Sequence, residues 1–248
     1  MKVFAGTDIG RVRQMNQDTY YVSEKADEPN IFLLADGMGG YAGGEIASNL
    51  AVHSVKEYVK NNWGNTQKTE DKLLELIKNA TQYANMIIYE KANQVKELEE
   101  MGTTIEICLI YNEKLYISHL GDSRIYAVSQ NKIEKITSDH TYVEKLVKDG
   151  TITREEAKNH PKKHMLIKAL GCTSFAEPDV FVRDWNPEEI IVLCSDGLTN
   201  MLTEDKIQDI ILNEPICPEK KLINNANEAG GLDNITVILI KRERNSYK

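Results

Sequence analysis

Two stretches of this chain end in the same way. Residues 31–37 read IFLLADG and residues 191–197 read IVLCSDG, so in each an apolar strand delivers one aspartate at its end and a glycine follows. Two more aspartates sit at glycine-marked turns beside strands, Asp122 in HLGDSR and Asp233 in GGLDNIT, and Asp18 opens the strand DTYYVSE. A single Asp-Gly pair needs no explanation beyond its preference for turns. Five such carboxylates meeting at strand ends would repel, at about 3 kcal/mol for two unit charges ~5 Å apart in an effective dielectric of ~20. A cluster of this kind takes up protons or holds cations. With oxygen donors alone, and no His or Cys at matching positions, the cation is hard: magnesium or manganese rather than zinc. Five glycines, at 37, 39, 40, 43 and 44, crowd the eight positions after Asp36. They mark backbone that bends sharply or comes close to something, and Gly37 can turn its carbonyl to the same ion.

The rest of the pattern supplies the setting. At 248 residues, without a Pro/Ser-rich or low-complexity linker, the chain reads as one domain over 1–248. Its 41% hydrophobic and 27% charged residues suit a soluble globular protein. No apolar run approaches the ~18 residues of a membrane span and the start lacks a signal peptide's apolar stretch, so a cytoplasmic protein is expected. A net charge of −8 argues against general attachment to nucleic acid or an anionic membrane, which needs Lys and Arg to neutralise phosphate. Cys108, Cys172, Cys194 and Cys217 form no CxxC pair and read as reduced thiols.

Strands are expected where Val3, Ala5, Thr7 and Ile9 alternate, at DTYYVSE and at NIFLLA, followed by a helix over about 44–62. A long helical stretch over 69–100 has Thr69 as its expected N-cap and Leu73, Ile77, Ala80, Ala84 and Ile87 as its apolar face. An antiparallel meander follows, TTIEICLIY, LYISHL and RIYAVS, with turns at NEK and GDS and a short strand at KIEKI. Residues 138–170 break the pattern with two short helices. One contains Val143, Leu146 and Val147 and stops at Gly150, and the other opens with the capping box Thr153-Arg154-Glu155-Glu156. Strands near 178–183 and 190–195, helices near 204–213 and 218–229, and the strand NITVILI complete an α+β layered domain.

Arg13, in GRVRQMNQD, lies five residues before Asp18. A guanidinium is a natural phosphate clamp because it donates two parallel hydrogen bonds, although beside an acid cluster it also serves as a structural ion-pair partner. His160 and His164 stand four apart in HPKKH, but the motif lacks the glutamate of HExxH and reads as no zinc site.

In order, GRVRQMNQD (10–18), ADGMGGYAGGEIAS (35–48), MGTT (101–104), HLGDSRIY (119–126), CSDGLTN (194–200) and GGLDNITVI (230–238) resemble the metal-dependent type 2C serine/threonine protein phosphatases in their compact bacterial form. The matching pieces span nearly the whole chain. The resemblance implies a four-layer α-β-β-α sandwich of two antiparallel sheets flanked by helices, with 138–170 as the family's mobile flap. It implies Asp36 bridging two ions, Mn2+ or Mg2+, with the Gly37 carbonyl on one and Asp196 and Asp233 completing the pair. Asp122, with Asp196, would hold a third ion, Asp18 would act through metal-bound water, and Arg13 would hold the substrate phosphate. Catalysis would then rest on Arg13 and Asp36. The implied reaction is hydrolysis of phosphoserine and phosphothreonine in proteins by a hydroxide bridging the metals, without a phosphoenzyme, reversing a serine/threonine kinase. A monomer is expected.

Two departures stand out. Many eukaryotic relatives carry a histidine directly after the bridging Asp-Gly as proton donor, where this chain has Met38. Metal-bound water is then the first candidate donor, with His160 or His164 second. Gln17 stands where some members have an acid, which loosens the outer shell of one metal. The stretch 138–170 carries seven Lys or Arg against five acids, a local +2 that either attracts phosphorylated chains or is a solvated face. A phosphatase for small phosphoesters and a non-catalytic phosphoprotein-binding module are the alternative readings.

Overall fold

The computed structural model describes residues 1–24 and 28–243, apart from the side chains of residues 41 and 42. In chain order its elements are β1 (Lys2–Asp8), β2 (Asp18–Val22), β3 (Asn30–Met38), α1 (Gly40–Trp63), α2 (Glu70–Gln94), β4 (Gly102–Thr103), β5 (Ile105–Tyr111), β6 (Lys114–Leu120), β7 (Arg124–Val128) and β8 (Ile133–Lys135). There follow α3 (Tyr142–Lys148), α4 (Arg154–Lys158), β9 (Asp179–Asp184), β10 (Ile190–Cys194), α5 (Asp196–Thr199), α6 (Glu204–Asn213), α7 (Pro218–Glu228) and β11 (Ile235–Lys241). One sheet has the order β1-β11-β10-β7-β8 and the other β2-β3-β5-β6-β9, with β4 added to β3. Every pairing is antiparallel.

Three apolar layers hold these sheets and helices in the expected four-layer order. Alternate residues of β3 face opposite ways: Ile31, Leu33 and Ala35 pack with α1 and α2, whereas Phe32 and Leu34 join Ile191, Leu193, Ile238 and Ile240 between the sheets. Val192, Cys194, Val237 and Leu239 point the other way, onto Ile207, Ile210, Leu222 and Ala226 of α6 and α7. Strands buried on both faces explain why IFLLA and IIVLC read as unbroken apolar runs.

Local expectations were met unevenly. Thr69 is extended and precedes α2, but its side chain makes no capping bond. The buried face of α2 includes Leu73, Ile77, Ala80, Ala84 and Ile88; Ile87 is only partly buried, because Ile88 lies about three turns beyond Ile77 and four residues beyond Ala84 on the buried stripe. Ile9 lies beyond the end of β1 and is exposed. The capping box of α4 forms with both of its bonds, and Gly150 follows α3 with φ 71°. The GDS turn is not a hairpin. β6 and β7 belong to different sheets, so the chain crosses the sandwich at Gly121-Asp122, with Gly121 at φ 127° and no room for a Cβ against Thr104. The glycines after Asp36 also divide: Gly37 lies in β3, while Gly40, Gly43 and Gly44 lie in α1, which begins four residues earlier than its apolar pattern shows. HPKKH forms turns rather than a helix, so its two histidines do not share a helical face.

Candidate active site

The period of two that fills the inter-sheet layer also delivers the acids. Phe32, Leu34 and Asp36 fall on the same face of β3, and Asp18 on β2 is the direct cross-strand partner of Asp36. Like charges in that register oppose each other. Asp196 enters as the first residue of α5, Asp122 from the sheet-crossing turn, and Asp233 from the loop before β11. These ends meet in a cleft of about 810 Å³ lined by Arg13, Gln17, Asp36, Gly37, Asp122, Asp196 and Asp233 among others.

Backbone proximity explains both Asp-Gly pairs. A Cβ on Gly37 would stand 2.1 Å from the Gly44 carbonyl oxygen, and one on Gly197 would stand 2.0 Å from that of Asn234. In each pair the glycine is required because another main chain lies against it. The Asp36 backbone is pinned as well: its N–H donates to Thr104 Oγ1 at 2.9 Å, and its carbonyl accepts from the Thr104 N–H at 2.9 Å and Thr103 Oγ1 at 2.8 Å. β4 and β5 break at Thr104 to make those bonds.

Electrostatics show the acids as one unit. Burial, reinforced by Asp18, Asp196, Asp122 and Asp233, holds the Asp36 carboxyl well above the usual carboxylate range. Burial pushes Asp18 up to about 7 against hydrogen bonds that favour its charged form, among them the Ser195 hydroxyl on Oδ2 at 2.8 Å. Asp122 is also raised to about 7, by burial and then by Asp196. Asp196 is raised by burial and then by Asp233, opposed in part by the Asn200 amide on Oδ2 at 3.0 Å. Asp18 Oδ1 is buried with no hydrogen-bond partner, an oxygen still to be satisfied. Among the described residues no three His, Cys, Asp or Glu side chains form a ready cage for one ion. Two carboxylates, a backbone carbonyl and solvent suit magnesium or manganese without such a cage, since these ions keep several waters. The donor set therefore fits hard divalent ions.

Arg13 donates from Nη2 to Asp233 Oδ2 at 2.7 Å, with its side chain 51% exposed. Its loop is stapled by Asn234, whose amide donates to the carbonyls of Ile9 and Met15 and accepts from the Gln17 N–H. Gln17 holds the Gly40 carbonyl at 3.1 Å. Met38 lines the cleft and offers no proton; His164 lines it too, whereas His160 does not. Asn200, Asn234, Thr104 and Ser195 escaped the sequence reading as functional residues. Asn200 alone had a usable signal, its i, i+4 spacing from Asp196 on one helical turn.

A buried acid cluster with one guanidinium, at the end of two stacked antiparallel sheets, defines a metal-dependent phosphohydrolase. The family model for protein phosphatase 2C matches residues 5–215. The serine/threonine phosphatase Stp of Listeria welshimeri is 37% identical over 240 residues, covering 95% of this chain and 94% of the relative. A serine/threonine phosphatase of S. agalactiae superposes with a TM-score of 0.89 at 36% identity, over 98% of this chain and 99% of that one. The catalytic domain of the phosphatase PstP, solved with two manganese ions, superposes with a TM-score of 0.82 at 31% identity over 96% of each chain. The chain belongs to the protein phosphatase 2C family.

Proposed function

We propose that the protein removes phosphate from phosphoserine and phosphothreonine side chains of other proteins by metal-dependent hydrolysis, opposing a serine/threonine kinase. The single observation that carries this reading is the convergence of five aspartates from distant parts of the chain, with Asp18 and Asp36 directly opposed and Asp18 Oδ1 unsatisfied. Buried acids that cannot all ionise alone become a stable site when divalent cations join them. Asp36, the Gly37 carbonyl, Asp196 and Asp233 would hold two ions, Asp122 with Asp196 a third, and Asp18 would act through solvent. Such ions supply Lewis acidity and an activated water when bound.

The chain's own groups bind and orient the substrate. The Arg13–Asp233 pair is half exposed, and pairs of that kind contribute only about 0–1 kcal/mol, so a phosphate dianion can take over the guanidinium fork. Lys163 and His164, on the segment 138–170, line the same cleft, and the lysine adds positive charge at its mouth. Asn200 fixes the Asp196 carboxylate. Met38 leaves the leaving alcohol to collect its proton from solvent in the cleft, with His164 as the imidazole at hand. The expected setting is the cytoplasm, with the protein acting as a monomer; among the described residues no helix is long and apolar enough to cross a membrane.

Hydrolysis of p-nitrophenyl phosphate with manganese, with and without chelator, tests the reading. Turnover that chelator abolishes and manganese restores is expected; metal-bound protein without turnover would make it a binding module. Peptides carrying phosphoserine, phosphothreonine or phosphotyrosine then separate a protein phosphatase from an enzyme for small phosphoesters.

A further inference from the structure

A second set of buried titratable side chains lies behind the acid cluster. Glu106 on β5 and His119 on β6 are cross-strand partners, both 0% exposed, and Glu106 Oε1 meets His119 Nδ1 at 2.5 Å. His119 Nε2 lies 3.0 Å from the Ser138 carbonyl, which only accepts, so Nε2 carries a proton and another is shared between Nδ1 and Oε1. The His119 ring stacks on that of His140, with centroids 4.6 Å apart and planes 25° apart. His140 Nδ1 accepts the Gly121 N–H at 3.1 Å, which puts its own proton on Nε2, 3.2 Å from Asp179 Oδ2. The His140 N–H donates to the Gly121 carbonyl at 2.7 Å, and its carbonyl accepts from the Ile167 N–H at 2.9 Å. Both backbone groups of Gly121 are therefore held by one residue, and the next residue is Asp122.

We infer that His140 is the positioning residue for Asp122, and that the Glu106–His119 pair stacked on its ring keeps it an acceptor for the Gly121 N–H. A proton on Nδ1 would set two donors face to face. The proton that His119 shares with Glu106 opposes one on the stacked ring, and burial, reinforced by His119, holds His140 down at about 4. Lys168, which shares Asp179 with His140, opposes it in the same sense. The same residues begin the segment 138–170, where Thr141 bridges to Leu166 and the Tyr142 N–H donates to the Met165 carbonyl at 2.8 Å. The base of that segment and the Asp122 turn are thus one hydrogen-bonded unit. Asp122 then stands where its neighbour's imidazole places it.

This inference rests on the metal reading of Asp122. The experiment is a manganese titration of the full-length protein, following free Mn2+ by electron paramagnetic resonance, for wild type, His140→Ala and His140→Asn. Losing the acceptor leaves a buried N–H unpaired, so His140→Ala is expected to weaken the weakest-bound manganese by about tenfold, while the asparagine Oδ1, which can stand in for Nδ1, recovers most of the loss. Glu106→Gln, which preserves shape, is expected to weaken the same site if His140→Ala does not fold. Nitrogen NMR of the His140 ring, without metal, is expected to show an unprotonated Nδ1. Wild-type manganese binding in both His140 variants, with only a lower melting temperature, or a protonated Nδ1, would overturn the inference. A wild-type protein that binds no manganese would overturn the metal reading itself, whatever the ring shows.

Discussion

Two groups of buried ionisable side chains lie close together in this molecule and are built on opposite principles. Glu106, His119 and His140 bring opposite charges together and bond to one another and to backbone, with Glu106 Oε2 and His140 Nε2 left without a hydrogen-bond partner. The aspartates at 18, 36, 122 and 196 repel one another, and their carboxyls are raised because burial and mutual charge act in the same direction. Inside a protein a buried group paired with an opposite charge fixes structure, whereas a buried cluster of one sign is held in readiness for something else. One set fastens two strands and a turn, and the other is the proposed metal site.

Breaking each set separates the two principles. The largest expected loss is His119→Ala, which strands the Glu106 carboxylate in the core and should lower stability by about 3–5 kcal/mol in denaturant unfolding. Asp36→Asn should do the reverse to the metal-free fold, raising its melting temperature by relieving repulsion, while manganese-dependent turnover falls at least on the order of 100-fold. Equal destabilisation by both variants would erase the contrast.

A pH series sharpens it further. Asp18 and Asp122 titrate near 7 in the fold rather than near their ordinary 3.8, so the protonated form is the one folding favours. Their contribution to the stability of the metal-free protein is full below about 4 and is lost as pH rises through about 7. The stabilisation given by manganese should accordingly grow from pH 5.5 to 8, read as the melting-temperature difference with and without the ion, since binding releases those protons. The smallest effect is expected at the rim. Reversing Lys162 and Lys163 to Glu should raise KM for a phosphopeptide severalfold more than for p-nitrophenyl phosphate, because only the peptide reaches along the segment 138–170. Equal changes in both KM values would assign these lysines to a solvated face.

Much of this was legible before any coordinates. The twin Asp-Gly endings identified Asp36 and Asp196, and hydrophobic alternation located nearly every strand and helix, because burial on a regular element leaves a period in the sequence. Some features left no such trace. Nothing in HLGDSR told that its turn carries the chain between sheets, since a hairpin and a crossing use the same turn residues. Ile87 and Ile88 were equally apolar, and only packing chose between them.

The sequence by itself determined which residues are acidic, which runs are apolar, and where glycine permits close approach, for these are properties of side chains and their spacing along the chain. Only the tertiary structure decided that Asp18 stands opposite Asp36, that Asp233 meets Arg13, and that His140 grips the residue before Asp122. Each of those contacts joins residues 18 or more positions apart, and the free energy that selects them comes from burying three apolar layers at once, not from any local preference.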